Sequence, residues 1–324
     1  MKPRYFLALL FLALLPSLDG CGKGTQKLKK LTDNVRPLQL GTEIGLSSDP
    51  STRLPDGICS FGFYAARADQ TPAPEGLVTA LHCANMQLTE DGGYRVANGE
   101  PVWQSRPANS GVIARVAVKP KILKKGEAYR NFYCPKYWRR RGINTPYCVA
   151  ADAVFADLRD GVKTWPGAVA NVPLSIKETK IRLNSESKFD LQSGVLNDPI
   201  PGEVVYKIGR TTGKTRLYVV GEDLVVLVRS KDGRYFNYLR LFKAVDMWDD
   251  PAPQVAQGDS GGPVFHNFRD AHDGYVLVGI TVVGRVEDGT EVLYIEPVSD
   301  IKRMLPVEPE YAGSGGVMHA GVGQ

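Results

Sequence analysis

Apolar residues in this chain come in short runs parted by turn residues, and that cadence limits the fold more than any other feature. β-type runs occupy 38–46, 59–66, 76–81, 111–118 and 153–158, with turn-rich stretches such as Asp91-Gly92-Gly93 between them. A second series covers 203–208, 215–220, 224–228, 234–245, 275–283 and 291–295, and Asp232-Gly233 gives a hairpin signal inside it. Between the two series, 161–201 is less regular and rich in proline, and reads as a crossing between two units. Short strands with scarcely any long helical period argue for an all-β barrel or sandwich. One short helix is expected near the end, over 297–305, with Pro297 and Ser299 at its start. The 324 residues leave room for two domains of ordinary size, and 43% hydrophobic with 23% charged residues is a globular composition.

The chemistry concentrates in Gln257-Gly258-Asp259-Ser260-Gly261-Gly262-Pro263. Glycines around a serine allow a tight turn that exposes the hydroxyl and lets a carbonyl substrate approach the backbone. The N–H groups of Gly258 and Ser260 are placed to converge beside that hydroxyl as oxyanion donors. A serine nucleophile needs a base, and the base needs an orienting carboxylate. Of the four histidines, His266 and His272 flank a polar loop and His319 lies in a glycine-rich tail. His82 ends the apolar run Leu77-Val78-Thr79-Ala80-Leu81 and precedes Cys83, so it is the candidate base. Asp152, opening Asp152-Ala153-Val154-Phe155-Ala156, is the candidate carboxylate, with Asp157 as the competitor at the far end of that run.

Thr79-Ala80-Leu81-His82-Cys83, Asp152-Ala153-Val154-Phe155 and Gly258-Asp259-Ser260-Gly261-Gly262-Pro263 resemble, in order, the three catalytic blocks of the trypsin/chymotrypsin-like serine peptidases. Lys207-Ile208-Gly209-Arg210-Thr211-Thr212-Gly213 is similar to a segment of the bacterial branch that includes the streptogrisins and alpha-lytic protease. The resemblance spans roughly 38–305 and implies two packed six-stranded antiparallel β-barrels with a short C-terminal helix. The first barrel (38–165) would carry His82 and Asp152, the crossing would be 166–200, and the second barrel (201–308) would carry Ser260. It implies an endopeptidase working through an acyl-enzyme, without a cofactor, on protein or peptide substrates. A catalytically weak binding protein on the same fold is the alternative.

The resemblance also sets expectations around the triad. Cys59 with Cys83 looks like the family's histidine-loop disulfide, which leaves Cys134 and Cys148 to pair with each other. Gln254 would lie at the base of the primary pocket, Val282 to Gly284 would form one wall, and Val292 would point in from the opposite side. Such a slot suits neutral, small-to-medium side chains, with Arg285 making an acidic preference the runner-up. Val282-Val283-Gly284 stands where the family usually has Ser-Trp-Gly, so a hydroxyl that would bond Asp152 is missing. Asp259 needs a cation, because an unpaired buried carboxylate is costly. Lys207 is the candidate, although it could equally face solvent on an alternating strand. No new N-terminus is then required for activity.

The first segment, 1–20, has Lys2 and Arg4 before an apolar run and reads as a signal peptide. Leu18-Asp19-Gly20-Cys21 resembles a bacterial lipobox, which would lipidate Cys21 and tether the protein to the cell envelope. The alternative is an ordinary signal peptide, a spare cysteine and a secreted soluble protein. Cys21 is also the odd member of five cysteines. Residues 21–37 read as a basic linker and 309–324 as a flexible tail. Tyr137-Trp138-Arg139-Arg140-Arg141 suggests a solvated loop or a wall of the cleft rather than a nucleic-acid site, and the net charge of +5 adds no case for one. No metal-ligand spacing stands out, and a monomer is expected.

Overall fold

In the computed structural model the described residues are 29–46, 57–84, 86–88, 94–96, 99–104, 111–137, 145–170, 172, 180–181, 188–191, 198–229, 235–248, 253–268 and 274–311. The signal-peptide region, Cys21, residues 138–141, His272, His319 and most of the tail lie outside them. Among the described residues no helix is long and apolar enough to cross a membrane.

The first ring is built from β1 (Glu43–Leu46), β2 (Gly57–Ser60), β3 (Phe63–Arg67), β4 (Glu75–Thr79), β5 (Pro101–Gln104), β6 (Val112–Val118) and β7 (Val154–Leu158). Their order is β3-β4-β7-β6-β5-β1-β2. Only Phe61 and Gly62 separate β2 from β3, and backbone bonds continue across that bend. Phe61 N–H donates to Thr42 (2.8 Å) and Gly62 N–H to Val78 (3.0 Å). β2 and β3 are therefore one bent strand, and the ring closes as a six-stranded barrel. The run 59–66 is thus interrupted where the chain turns a barrel corner. The run 38–46 is likewise split, because Gly41 takes a φ of 85°.

The second ring is closed outright. β8 (Val204–Gly209), β9 (Gly213–Arg229), β10 (Tyr235–Val245), β11 (Pro263–Phe268), β12 (Gly274–Glu287) and β13 (Thr290–Pro297) run in the order β10-β9-β8-β11-β12-β13. Pairing of β10 with β13 completes it. The runs 215–220 and 224–228 are one strand, β9, whose register shifts at a bulge between Val219 and Gly221. Val205, Leu217, Val264, Val278, Leu293 and Ile295 fill this barrel. The helix α1 (Val298–Met304) follows, and β14 (Val307–Pro309) pairs with β3 of the first barrel.

Three features depart from the expected domain plan. Leu31 and Val35 are fully buried, so the segment before Leu38 packs on the barrel instead of serving as a linker to 37. Thr164–Ala170 in the crossing is a strand, paired with Leu38–Leu40. The last strand belongs to the first barrel although the chain has left the second one. In addition, Ile122–Lys124 and Tyr147–Val149 form a hairpin that docks on β10, setting Val149 opposite Tyr238 three residues before Asp152.

Candidate active site

β4 delivers His82 into the crevice. The chain leaves the strand at Thr79 and tightens into a single 3-10 turn, Leu81–Cys83, whose flanking side chains Leu81 and Cys83 are buried. His82, the half-buried one, faces Asp152. Asp152 sits just ahead of β7 and has no solvent exposure. One of its oxygens lies 2.6 Å from His82 Nδ1 and the other accepts the His82 backbone N–H at 3.0 Å. Bonds to both main chain and ring fix the imidazole's orientation, leaving Nε2 for proton transfer. Asp157 lies further along β7, opposite Gly76, and burial pushes its carboxyl up. Among the described residues the hydrogen bonds of His82 go to Asp152 and not to Asp157.

Ser260 sits on the turn that enters β11, and two glycines there are obligatory for different reasons. Gly258 has a φ of 98°, a left-handed conformation that side chains resist. Gly261 has a φ of 81°, and a Cβ there would lie 2.3 Å from Thr79 Oγ1 and 2.7 Å from the Ser60 carbonyl. The missing side chain thus lets the two barrels touch beside Ser260. Ser60 fastens that contact: its N–H donates to the Ser260 carbonyl (2.8 Å) and its hydroxyl to the Gly258 carbonyl (2.9 Å). Among the described residues no backbone carbonyl accepts from the N–H of Gly258 or of Ser260. The Ser260 hydroxyl donates to the Val282 carbonyl at 3.2 Å, while His82 and Ser260 line one cavity of about 410 Å³.

Asp259, next to the serine, is fully buried and fully partnered. Its carboxylate takes the Lys207 amine (2.9 Å), the Thr212 hydroxyl (2.6 Å) and the N–H groups of Thr211 (2.9 Å), Thr212 (3.1 Å) and Ala256 (3.0 Å). Burial acts to raise this carboxyl, but Lys207 and these donors outweigh it and hold it below its ordinary value. Strand alternation places Lys207 on the same inward face of β8 as Val205, with no exposure.

The cavity wall includes Val255, Val282, Val283, Gly284, Arg285 and Glu291. Gln254 and Val292 are not part of it. Gln254 is buried beneath the wall, its N–H donating to Glu291 Oε2 at 2.5 Å. Val292 is 1% exposed and packs in the core. Adjacent residues of a strand point to opposite faces, so the placement differs from the expected one by a single step along β13. Arg285 is engaged: it pairs with Glu287 and donates to the Tyr294 hydroxyl at 2.8 Å.

The disulfides Cys59–Cys83 and Cys134–Cys148 are both formed. Cys59, His82 and Cys83 make a ligand-like cluster, but the two sulfurs are bonded to each other. His266 lies in the strand ahead of the loop it was expected to flank. It is buried on β11, its Nδ1 3.0 Å from the Val204 carbonyl and away from the cavity. Sequence reasoning overlooked Glu291, Ser60 and Glu296. A carboxyl closing the apolar strand Val292-Leu293-Tyr294-Ile295-Glu296 was the available signal for the last.

No family model matches the sequence, and no curated protein matches it. Solved structures do match. Thermobifida fusca Protease A is 15% identical, covering 85% of this chain and 98% of its own, with a TM-score of 0.49. A Nocardiopsis protease is 17% identical over 84% and 97%, with a TM-score of 0.45. A glutamic acid specific serine protease is 17% identical over 84% and 100%, with a TM-score of 0.47. The assignment of fold rests on the strands themselves: two six-stranded antiparallel rings, packed around a crevice and followed by a short helix, make the chymotrypsin-like fold that the sequence resemblance implied.

Proposed function

We propose that this chain is a serine endopeptidase that cleaves peptide bonds through an acyl-enzyme. The observation that carries the reading is the 2.6 Å contact of His82 with buried Asp152 on the wall of the cavity that Ser260 also lines. Ser260 Oγ attacks the scissile carbonyl as His82 Nε2 takes its proton. The N–H groups of Gly258 and Ser260 receive the oxyanion. His82 then returns the proton to the leaving amine, and Asp152 steadies the imidazolium throughout. Water repeats the sequence to release the acid. The Lys207–Asp259 pair holds the turn that carries these donors, so no newly formed N-terminus takes part. Fluorophosphonate labelling of the purified protein, lost in Ser260→Ala, tests the reading.

The bond from Ser260 Oγ to the Val282 carbonyl favours one rival, a peptidase-fold binding protein with a weak nucleophile. No labelling, together with no cleavage of a diverse peptide library, would establish it. For the primary pocket the proposed preference is a neutral, small-to-medium side chain. Arg285 is already paired and Glu291 is bonded to the Gln254 N–H, so neither charge is offered without a partner. A cleavage profile dominated by Lys or Arg would transfer the specificity role to Glu291. The protein is further proposed to be exported and monomeric, with Cys21 lipidated, consistent with disulfides formed in an oxidising compartment. Intact mass of the mature protein checks the anchor: an unmodified Cys21, or cleavage elsewhere, leaves a secreted soluble enzyme.

A further inference from the structure

The reading of Asp152 as the carboxylate that orients His82 raises the question of what orients Asp152. The hydroxyl expected from position 282 is absent, and Val282 is buried there. Asp152 belongs to the first barrel, but the crevice is lined by both, so its position depends on bonds across the gap. One such bond comes from Glu296, the penultimate residue of β13, whose Oε2 accepts the Asp152 backbone N–H at 2.8 Å. Glu296 is 1% exposed, and its other oxygen, Oε1, has no partner among the described residues.

We propose that Glu296 is a positioning residue, whose carboxyl reaches from the second barrel to hold the Asp152 backbone and so sets the Asp152–His82 pair against Ser260. The surroundings favour its neutral form. Asp152 and Asp300 approach from the acidic side, Tyr238 adds a buried hydroxyl, and Arg240 is the facing cation among the described residues. Arg240 is already spent on Asp198 (2.6 Å) and Asp300 (2.7 Å). Burial, with those acids, pushes the Glu296 carboxyl well above its ordinary value. A charge at this site would be stranded, whereas the neutral acid meets the Asp152 N–H with its carbonyl oxygen and leaves a single hydroxyl to satisfy.

Two volume-matched variants separate this role from simple packing. Glu296→Gln keeps an acceptor for the Asp152 N–H and carries no charge, so kcat, KM and the acid limb of the kcat/KM profile should all stay near the parent's. Glu296→Met fills the space without an acceptor. It should remain folded, with a denaturant midpoint lowered only by the loss of an acceptor for the Asp152 N–H. Its kcat should nevertheless fall roughly tenfold to a hundredfold with KM little changed, the effect of a slight misplacement of catalytic groups. The downfield His82 Nδ1–H resonance should shift or broaden in the Met variant alone. A folded Met variant with parental kcat overturns the proposal, and so does a Gln variant as impaired as Met, because the charge would then be required. Asp152→Asn distinguishes the two levels. If it labels with fluorophosphonate as fast as the parent, the assignment of Asp152 itself is wrong, whatever Glu296 does.

Discussion

Asp259 and Glu296 are both carboxyl groups buried beside the crevice, and they are treated in opposite ways. Asp259 has a lysine and four further donors and is held ionised; Glu296 has one N–H, an orphaned oxygen and two acidic neighbours, and is pushed toward the neutral form. Depth alone therefore decides nothing about charge. The number of donors that reach the site decides it, and so does the sign of the nearest fixed charge. Each solution has its own neighbour: an ion pair beneath the Ser260 turn, and an acceptor for the Asp152 backbone.

The comparison breaks most severely at Lys207. Lys207→Met leaves Asp259 as a buried charge with no cation, a change that costs about 3–5 kcal/mol when one partner of such a pair is removed. Turnover should be abolished or sharply reduced while the fold and both disulfides persist. Denaturant midpoint and fluorophosphonate labelling rate measure the two effects. Near-normal turnover would mean the threonine and N–H donors suffice by themselves.

Stability against pH should show both carboxyls at once. Asp259, held below its ordinary value, contributes stability that is present above the unfolded carboxyl range and lost as pH falls through its folded value. Glu296 has the reverse sign. Its contribution is full below the unfolded carboxyl range and is lost as pH rises toward its elevated folded value, because the native state then holds a proton the unfolded chain has released. Asp300, raised to about 6, and Glu310, raised to about 7, add to that alkaline decline, each mainly through burial. Chemical denaturation from pH 5 to 8 should show stability falling in the parent and falling less in Glu296→Gln, by about 1.4 kcal/mol for each unit of raised pKa removed. An identical slope in both proteins would place the excess proton elsewhere.

A smaller effect is expected at the bridge between barrels. Ser60→Ala removes a hydroxyl that donates to Gly258 and accepts from Arg210 N–H at 2.9 Å, and should cost about 1 kcal/mol with a few-fold lower kcat. Measured midpoint and turnover equal to the parent's would remove Ser60 from the support of the Ser260 turn. The smallest effect belongs to the N-terminus. An unrelated tag in place of residues 1–28 should leave turnover almost unchanged, whereas extending the replacement through Val35 should lower the midpoint, since Leu31 and Val35 are buried.

How much of this was legible follows from how each feature is encoded. The convergence of His82, Asp152 and Ser260 is written in contiguous strings, since glycines are compulsory where the Ser260 backbone must turn against the other barrel. Strand alternation left Lys207 open to either face, and its inward direction shows only in the contact with Asp259, 52 residues away. Register between distant strands was not legible either. Placing Val292 in the pocket was one residue from Glu291, and a single step exchanges the two faces of a strand. Glu296 was invisible for a deeper reason: its partner lies 144 residues away on the other barrel, and only the packed crevice brings them together. The corner at Phe61-Gly62 likewise looks like an unbroken run until the ring closes around it.

The strand β14 has a consequence in time as well as in space. Synthesis delivers the first barrel's ring by Leu158, yet the outer edge of β3 stays bare until Val307–Pro309 arrive, with Glu310 N–H bonding Tyr64 and Ala68 N–H bonding Pro306. An open edge strand is a template for wrong partners. The earliest part of the chain thus waits for nearly the last before its edge is covered. Any interruption beyond Leu305 would injure the half of the molecule that was made first.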